Sequence, residues 1–251
     1  MIYQICIYFL LFIIYSCMGW IMEVIGKLIE KHRFINRGFL IGPYCPIYGW
    51  GCLTMILLLN KYLDEPVILF FMAILICSFL EYFTSYFMEK LFNARWWDYS
   101  KRKFNINGRI CLETMIPFGI LGCLILYIVN PFIINILDKV PSNLLYVLAL
   151  FLFIIYVIDN IISLNIMVKF KTTMKTVERD GTEEITKKVK AILFNRSWLY
   201  RRLIKAFPNL KNHKELLMDI QTRVNNELKK INTKINKTLE KGKNIVNEKF
   251  K

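Results

Sequence analysis

Charged residues are scarce in the first two thirds of this sequence. Only 21% of the 251 residues are charged, whereas 55% are hydrophobic. Lys and Arg are nearly absent from long stretches of residues 1–168 and are concentrated in residues 169–251. This distribution excludes an ordinary soluble protein, in which charged side chains cover the surface of every domain.

Catalytic and cofactor-binding motifs are also missing. The chain has two His, and its seven Cys form no C-x-x-C pair, so we expect neither a metal site nor a disulfide framework. It contains no G-x-S-x-G, no H-E-x-x-H and no G-x-x-x-x-G-K-[ST] sequence, and without the last it has no P-loop for ATP. We therefore expect no cofactor and no enzyme activity, and a membrane-embedded enzyme is a minor alternative.

Long apolar runs dominate the first 168 residues. A helix needs about 20 apolar residues to cross a hydrocarbon core of roughly 30 Å, and a helix satisfies its own backbone in lipid. The sequence therefore predicts an all-α integral membrane protein with its transmembrane domain in residues 1–168. We predict five spans, at residues 5–25, 44–59, 67–87, 110–129 and 143–168.

Basic residues in the connections predict the orientation. The connection 27–43 carries four Lys or Arg and the connection 90–109 carries six, whereas the other two carry one each. Short cytosolic connections are enriched in Lys and Arg. We therefore expect both basic connections in the cytosol, with the N-terminus outside and the C-terminal tail inside.

The tail, residues 169–251, holds 22 Lys and Arg against 9 Asp and Glu, which is +13 of the net charge of +15. A basic segment beside a span favours anionic lipid headgroups, so we expect no nucleic acid partner. Aromatic residues alternate with cations over 191–211, and apolar residues then recur at steps of three and four. This predicts an amphipathic helical tail, which either lies on the membrane or pairs with a second helix.

Two segments rich in Gly and Pro resemble each other. The first repeat segment, "INRGFLIGPYCPIYGWGCL" (35–53), aligns with the second repeat segment, "INGRICLETMIPFGILGCL" (106–124), at a shift of 71 residues. Each lies after a span with an acidic residue near its end. This predicts a parallel repeat of helical hairpins. The segments either dip into the membrane around a vestibule, or form plain turns whose glycines let helices pack closely.

Acidic residues near or within the spans define a candidate site. A carboxylate there costs about 2.5–3.5 kcal/mol on insertion scales unless protein, water or a cation compensates it. We predict pairs between Glu23 and Arg37 and between Glu81 and Arg109, in a cluster that serves a substrate or proton path or, alternatively, holds helices together. The members of this polar cluster are Glu23, Asn36, Arg37, Glu81, Asn107, Arg109, Glu113 and Asp159.

Three aromatic residues after the third predicted span are a second candidate feature. Trp96, Trp97 and Tyr99 lie beside the basic residues of the connection 90–109. Trp and Tyr are enriched at the headgroup level, which predicts an interfacial aromatic group on the cytosolic side. Stacking on a ligand is the alternative.

Several longer motifs resemble a known family. The sequences "NRGFLIGPYCPIYGWG", "EYFTSYFMEKLF..RWWDYS" and "FNINGRICLE" are similar to those of the bacterial ABC-transporter permease family called CmpB-like, or type IV. The resemblance is close over residues 12–123. It implies a permease-like protein of the bacterial plasma membrane, partnered by a separate ATPase and acting as a homodimer, because five spans are few for one permease half. The alternative function is a membrane-anchored scaffold or regulator whose basic tail binds anionic lipid or a protein.

Overall fold

Helices account for most of the described chain. The computed structural model describes residues 1–32, 34, 36, 38, 40–92, 94–95, 97–179 and 211–212. A 3-10 turn (Asn60–Tyr62) follows the second helix, and a π-helical turn (Ile125–Val129) joins the fourth to the fifth. The α-helices of the described residues are α1 (Ile2–Lys31), α2 (Pro46–Leu59), α3 (Pro66–Phe92), α4 (Leu112–Leu124), α5 (Asn130–Leu137) and α6 (Ser142–Arg179).

Short strands lie between the helices and, in one case, after the last of them. They are β1 (Ala94–Arg95), β2 (Asn105–Ile106), β3 (Ile110–Cys111) and β4 (Lys211–Asn212). β2 and β3 form an antiparallel pair in which Asn105 lies opposite Cys111. Asn107 and Gly108 in the turn have φ of 52° and 66°. Asn and Gly tolerate this left-handed conformation, so the sequence Asn-Gly closes the hairpin immediately before α4.

Four helical segments are long and apolar enough to cross a membrane. They are Ile2–Glu30, Pro66–Leu91, Leu112–Leu137 and Ser142–Ile166. Each coincides with a predicted span, which confirms a mostly helical membrane protein. α2 has 14 residues, or about 21 Å at 1.5 Å per residue, less than the roughly 30 Å of a hydrocarbon core. The fifth predicted span, 44–59, is therefore not confirmed.

The third of these segments continues past residue 129, where the prediction ended it. Pro131 has no N–H for the regular helical ladder. The chain passes this position through the π-helical turn, in which the N–H of Asn130 reaches the carbonyl of Ile125, five residues back. Such a π turn absorbs a local break in the ladder, so α4 and α5 form one continuous helical segment.

Hydrogen bonds show which helix ends lie together. Tyr3 donates its hydroxyl to Asp138 at 3.4 Å, and Tyr127 donates to the carbonyl of Leu63 at 2.7 Å. These bonds bring the start of α1, the connection 60–65 and the connection 138–141 to one end of the helices. α1 and α3 run away from that end, so the connections 32–45 and 93–111 lie at the other end.

Close helix packing depends on glycine in both hairpins. A Cβ added at Gly49 of α2 would lie 2.3 Å from the Oγ of Ser16 in α1. A Cβ added at Gly122 of α4 would lie 2.6 Å from the Cβ of Ala73 in α3. Small residues let backbones approach within a membrane, so these two contacts set the spacing of α1 against α2 and of α3 against α4.

The outer faces of the helices are apolar. Phe79, Phe83 and Phe87 lie four residues apart on α3, are about half exposed or more, and stack with ring centroids 6.1 and 6.0 Å apart. An exposed aromatic surface of this extent marks contact with lipid or protein. In a helix long enough to span a membrane, we assign this face to lipid.

The predicted boundary between membrane domain and tail falls inside a helix. α6 runs from Ser142 to Arg179 without a break at residue 168. Within the tail, the structure describes residues 169–179 as helix and Lys211–Asn212 as the strand β4. The predicted helical segments at 180–210 and 213–251 lie outside the described residues.

Candidate functional site

A cavity of about 240 Å³ is enclosed by residues of α1, α2, α3, α4 and the connection 93–111. Its polar groups are mainly two carboxylates, from Glu23 and Glu81, and three phenols, from Tyr15, Tyr48 and Tyr99. Most of its remaining surface is apolar or contains sulfur. Other described residues that line it include Met18, Met22, Cys52, Met55, Trp97 and Phe118.

Each carboxylate in the cavity accepts a hydrogen bond from a tyrosine. Tyr48 donates to Oε1 of Glu23 at 2.7 Å, and Tyr99 donates to Oε1 of Glu81 at 3.1 Å. Burial, followed by the nearby charge of Glu81, raises the pKa of the Tyr99 hydroxyl, so this phenol remains a donor at neutral pH. The two acids are near enough to interact electrostatically. The cavity thus collects negative charge from two different helices.

The second carboxylate oxygen of Glu81 is exceptional. Glu81 is 8% exposed, and its buried Oε2 has no hydrogen-bond partner. The hydroxyl of Thr114 lies close to this carboxyl group, but it donates its hydrogen bond to the carbonyl of Cys111 at 2.9 Å. Buried polar atoms are almost always paired, so an unpaired carboxylate oxygen on the wall of a cavity marks a place for a further group.

Arg109 pairs with Glu89 and not with Glu81, which corrects the predicted pair. Its Nη2 lies 2.9 Å from Oε2 of Glu89, and its Nη1 donates to the Oγ of Ser85 at 3.3 Å. Glu89 lies eight residues beyond Glu81 on α3, about 12 Å along the helix. The prediction placed Arg109 at the start of the returning span, within reach of Glu81, whereas the β2–β3 turn holds it beside the last turns of α3.

A network of buried charges surrounds Glu89. The Nε of Arg95 lies 3.1 Å from the same Oε2 that Arg109 contacts. The Nη1 of Arg95 lies 3.6 Å from Oδ1 of Asp98 and donates to the carbonyl of Asn107 at 3.1 Å. Two arginines and two acids balance one another, with Glu89, Arg95 and Arg109 all below 9% exposed. The network fixes the connection 93–111 to the end of α3, and thereby positions Trp97 and Tyr99.

Asp159 of α6 binds the first repeat segment. Its carboxylate accepts hydrogen bonds from the backbone N–H groups of Ile41 and Gly42 at 2.9 and 2.7 Å, and from the hydroxyls of Tyr44 and Ser163 at 2.5 and 2.8 Å. The carboxylate is fully used in these bonds, so Asp159 anchors the segment and does not line the cavity.

Residues 40–45 reach deep beside α1. The N–H of Cys45 donates to the carbonyl of Ser16 at 2.9 Å, and Leu40 is fully buried. Ser16 lies eleven residues before Lys27, about 16 Å along α1. Non-helical backbone at this depth is tolerated where protein covers it. This geometry favours the re-entrant alternative for the first repeat segment, whereas the second is helical from Leu112 onward.

The predicted asparagines have local roles. Asn36 accepts hydrogen bonds from the indole of Trp20 at 2.7 Å and from the N–H of Gly38 at 3.0 Å. Asn107 donates to the hydroxyl of Tyr82 at 2.9 Å. Both contacts fix connections to the helices that precede them, and neither asparagine is among the cavity-lining residues.

The predicted cluster therefore does not form one site. The structure brings Glu23 and Glu81 together at the cavity. Glu113 lies elsewhere, 2.8 Å from Arg102, with both side chains more than half exposed. Arg37 of the predicted cluster lies outside the described residues, so its predicted pairing with Glu23 stays a prediction.

Two of the three predicted interfacial aromatic residues face the cavity. Trp97 and Tyr99 both line the cavity, and the indole N–H of Trp97 donates to the carbonyl of Arg109 at 3.0 Å. This placement favours the alternative of contact with a ligand. Trp96 lies outside the described residues.

One family model matches most of the helical part of the chain. Residues 10–164 match the model of the family described as "Putative ABC-transporter type IV", CmpB. This range covers more than half of the chain and includes the cavity and both repeat segments. The chain belongs to this family. The resemblance seen in the motifs is thereby confirmed, and the CmpB family protein is a multi-pass membrane protein. No curated protein and no solved structure matches it.

Sequence reasoning missed three residues of the CmpB family protein that organise the site. Tyr48 was not predicted as the partner of Glu23, although it is one of two tyrosines between Gly42 and Gly49 of the first repeat segment. Glu89 and Arg95 were not predicted as site residues. Two features of the sequence point to them: Glu89 is the last acidic residue of α3, and Arg95 directly precedes the two tryptophans of the connection 93–111.

Proposed function

We propose that this protein is the permease-type subunit of an ABC transporter in the bacterial plasma membrane, and that it works with a separate ATPase. The observation that supports this proposal is the cavity with Glu23 and Glu81 on its wall, which lies among apolar helices long enough to span a membrane. Ligand sites in membrane proteins form where a few polar groups converge inside the helices. On this proposal the cavity holds the transported solute.

The proposed topology has five spans, with the N-terminus outside and the tail in the cytosol. α2 would complete its crossing with the buried residues 40–45 on one side and the 3-10 turn Asn60–Tyr62 on the other. The grouping of the helix ends supports it, because the two basic connections lie at one end and the two weakly charged ones at the other. The basic tail would then face the anionic inner leaflet.

The proposed repeat consists of the hairpins α1–α2 and α3–α4. Each hairpin supplies one acid–tyrosine pair to the cavity, Glu23 with Tyr48 and Glu81 with Tyr99. In each hairpin, a glycine also lets the two helices pack closely, Gly49 in the first and Gly122 in the second. Two copies of the protein would complete a transporter, since one chain has few spans.

The ATPase partnership is tested by purification. The full-length tagged protein is crosslinked in native membranes, and its partners are identified by mass spectrometry. We expect an ABC ATPase among them, and we expect the Glu89→Gln variant, which disturbs the cytosolic face, to recover less of it. Failure to recover any ATPase under conditions that capture a known permease–ATPase pair would contradict the proposal.

Solvent access to the cavity is tested by cysteine labelling. In a variant without native cysteines, Leu121→Cys places a thiol on the cavity wall, and Ile120→Cys places one on the exposed face of the same helix. A hydrophilic thiol reagent needs water to react, so we expect fast labelling at 121 and slow labelling at 120. Equal rates at both positions would argue that the cavity is not a solute site.

Reporter fusions test the orientation. A reporter active only in the cytosol should work when inserted in the connections 32–45 and 93–111. Activity after insertion at 60–65 would reverse the proposed topology.

A further inference from the structure

We infer that the cavity binds a small organic cation, an ammonium group on an apolar body, with Glu81 as the residue that recognises its charge. The inference rests on the proposed use of the cavity as a solute site and names the class of that solute. Two properties of the cavity support it, the buried carboxylate of Glu81 and the unpaired oxygen of that group.

Glu81 places a buried carboxylate on the cavity wall, and none of the described residues beside it in the cavity carries positive charge. Glu23 and Glu81 both line it, and none of its described lining residues is Lys, Arg or His. Arg95 and Arg109, two buried cations of the described chain, are bound to Glu89 and do not line the cavity. An isolated buried carboxylate is costly, and a cation placed beside it recovers that cost.

The unpaired oxygen of Glu81 restricts the ligand further. An ionised carboxylate only accepts hydrogen bonds, so its partner must donate one or carry positive charge. Oε1 already accepts the bond from Tyr99, whereas Oε2 is buried and unpaired. An anionic solute would add repulsion at this point, and a purely apolar one would leave Oε2 unsatisfied.

The rest of the lining favours an organic cation over a metal ion. Ca²⁺ requires about six to eight oxygen ligands, whereas most of this wall is aliphatic, aromatic or thioether. Tyr48, Trp97, Tyr99 and Phe118 supply aromatic rings, and such rings attract ammonium groups. Methionines adapt their shape to apolar ligands, so the walls suit the body of the molecule as the acids suit its charge.

The size of the cavity limits the ligand. Pockets for drug-sized molecules measure about 300–1,000 Å³, and this cavity measures about 240 Å³. A molecule with one ring or a short alkyl chain fits this range, whereas a peptide or a polycyclic drug does not.

Binding is tested with the purified full-length protein in detergent, by calorimetry with three probes of similar size. These are the cation 3-phenylpropylammonium, the neutral 3-phenylpropan-1-ol and the anionic 3-phenylpropanoate. We expect saturable binding of the cation, at least about tenfold tighter than of the alcohol, because only the cation pairs with a buried charge. We expect no binding of the anion. Equal affinity for cation and alcohol would overturn the inference.

Three variants locate the site. Glu81→Gln should weaken binding of 3-phenylpropylammonium at least about tenfold, and Glu113→Gln, which changes a carboxylate away from the cavity, should leave it unchanged. Gly51→Leu tests the location without removing a charge. An added Cβ at Gly51 meets nothing within 4 Å, so the larger side chain should fill the cavity and abolish binding. Unchanged affinity in both Glu81→Gln and Gly51→Leu would place the ligand elsewhere.

Failure of this inference can be separated from failure of the proposed function. If no probe binds but the ATPase is recovered and position 121 is labelled quickly, the permease proposal stands and Glu81 does not recognise organic cations. In that case the inferred class of solute is wrong. If the cation binds but no ATPase is recovered, the site is real and the transporter assignment fails.

Discussion

The two repeat segments share Asn, Gly, Pro and Cys at matching positions, yet they fold differently. In the first segment, residues 40–45 are non-helical, and α2 begins only at Pro46. In the second segment, α4 begins at Leu112, which matches position 41 at a shift of 71 residues. Similar sequences thus produce a buried loop in one hairpin and a helix in the other.

The difference follows from what holds each segment. The first is bound by Asp159 of α6, a helix outside the repeat, through two backbone N–H groups and a phenol. The second is bound by Glu89 of its own hairpin, through the side chain of Arg109. A carboxylate that captures backbone N–H groups competes with helix formation, whereas one that captures an arginine leaves the backbone free to start α4. The anchor acts together with the local sequence, because Gly42-Pro43 of the first segment disfavours a helix where the second segment has Glu113-Thr114.

The strongest test removes the anchor of the second segment. Glu89→Gln leaves Arg95 and Arg109 buried without their shared acid, and breaking a buried ion pair in this way costs about 3–5 kcal/mol. We expect a loss of that size in the free energy of unfolding, measured by denaturant titration in detergent. The double variant Glu89→Gln/Arg109→Gln should cost less than the sum of its single variants.

A matched cycle checks the corrected pairing. Glu81→Gln and Arg109→Gln should be additive, because these two residues do not contact each other. A coupling free energy between positions 81 and 109 that equals the one between 89 and 109 would restore the original predicted pair.

The anchor of the first segment should have the next largest effect. Asp159→Asn replaces one acceptor oxygen by an NH₂ group. This group cannot accept the hydrogen bonds that residues 41–44 donate to Asp159. Hydrogen bonds to a charged group contribute about 1.5–3 kcal/mol each, and we expect a loss of about 2–3 kcal/mol. Protease cleavage or hydrogen exchange in residues 40–45 should rise while the second segment stays protected. A uniform change in both segments would show that Asp159 acts on the whole bundle.

The sequence predicted the four long helices well because long apolar runs report directly on membrane crossing. It predicted Glu23 and Glu81 as a pair of equivalent acids, and both line the cavity. It did not predict the partner of Arg109, since Glu81 and Glu89 differ only by two helical turns and apolar periodicity does not fix the position of a loop. Nor did it predict that residues 41–44 bind Asp159, a contact between segments more than 110 residues apart.

A glycine comparison sharpens the contrast between the segments. Gly51 and Gly122 match in the repeat and both line the cavity, but their surroundings differ. An added Cβ at Gly51 meets nothing within 4 Å, whereas at Gly122 it would lie 2.6 Å from the Cβ of Ala73. We expect Gly122→Ala to lower the free energy of unfolding by about 1–3 kcal/mol through overpacking. We expect Gly51→Ala to leave it unchanged or to raise it by up to about 1 kcal/mol through helix propensity. Equal losses at both positions would mean that the two hairpins pack alike.

The smallest effect concerns the matched prolines, Pro46 and Pro117. Pro46 lies at the first position of α2, where no helical N–H is needed, whereas Pro117 lies inside α4 and leaves the carbonyl of Glu113 without its usual partner. Pro46→Ala should therefore lower the free energy of unfolding by about 0.5–1 kcal/mol, because the unfolded chain gains freedom. Pro117→Ala should instead leave it unchanged or raise it slightly, since the restored N–H can bond to that carbonyl. Opposite signs in the same denaturant titration support different helix starts in the two segments. If both changes destabilise the protein equally, α4 starts near Pro117, as α2 starts at Pro46, and the segments are structural equivalents after all.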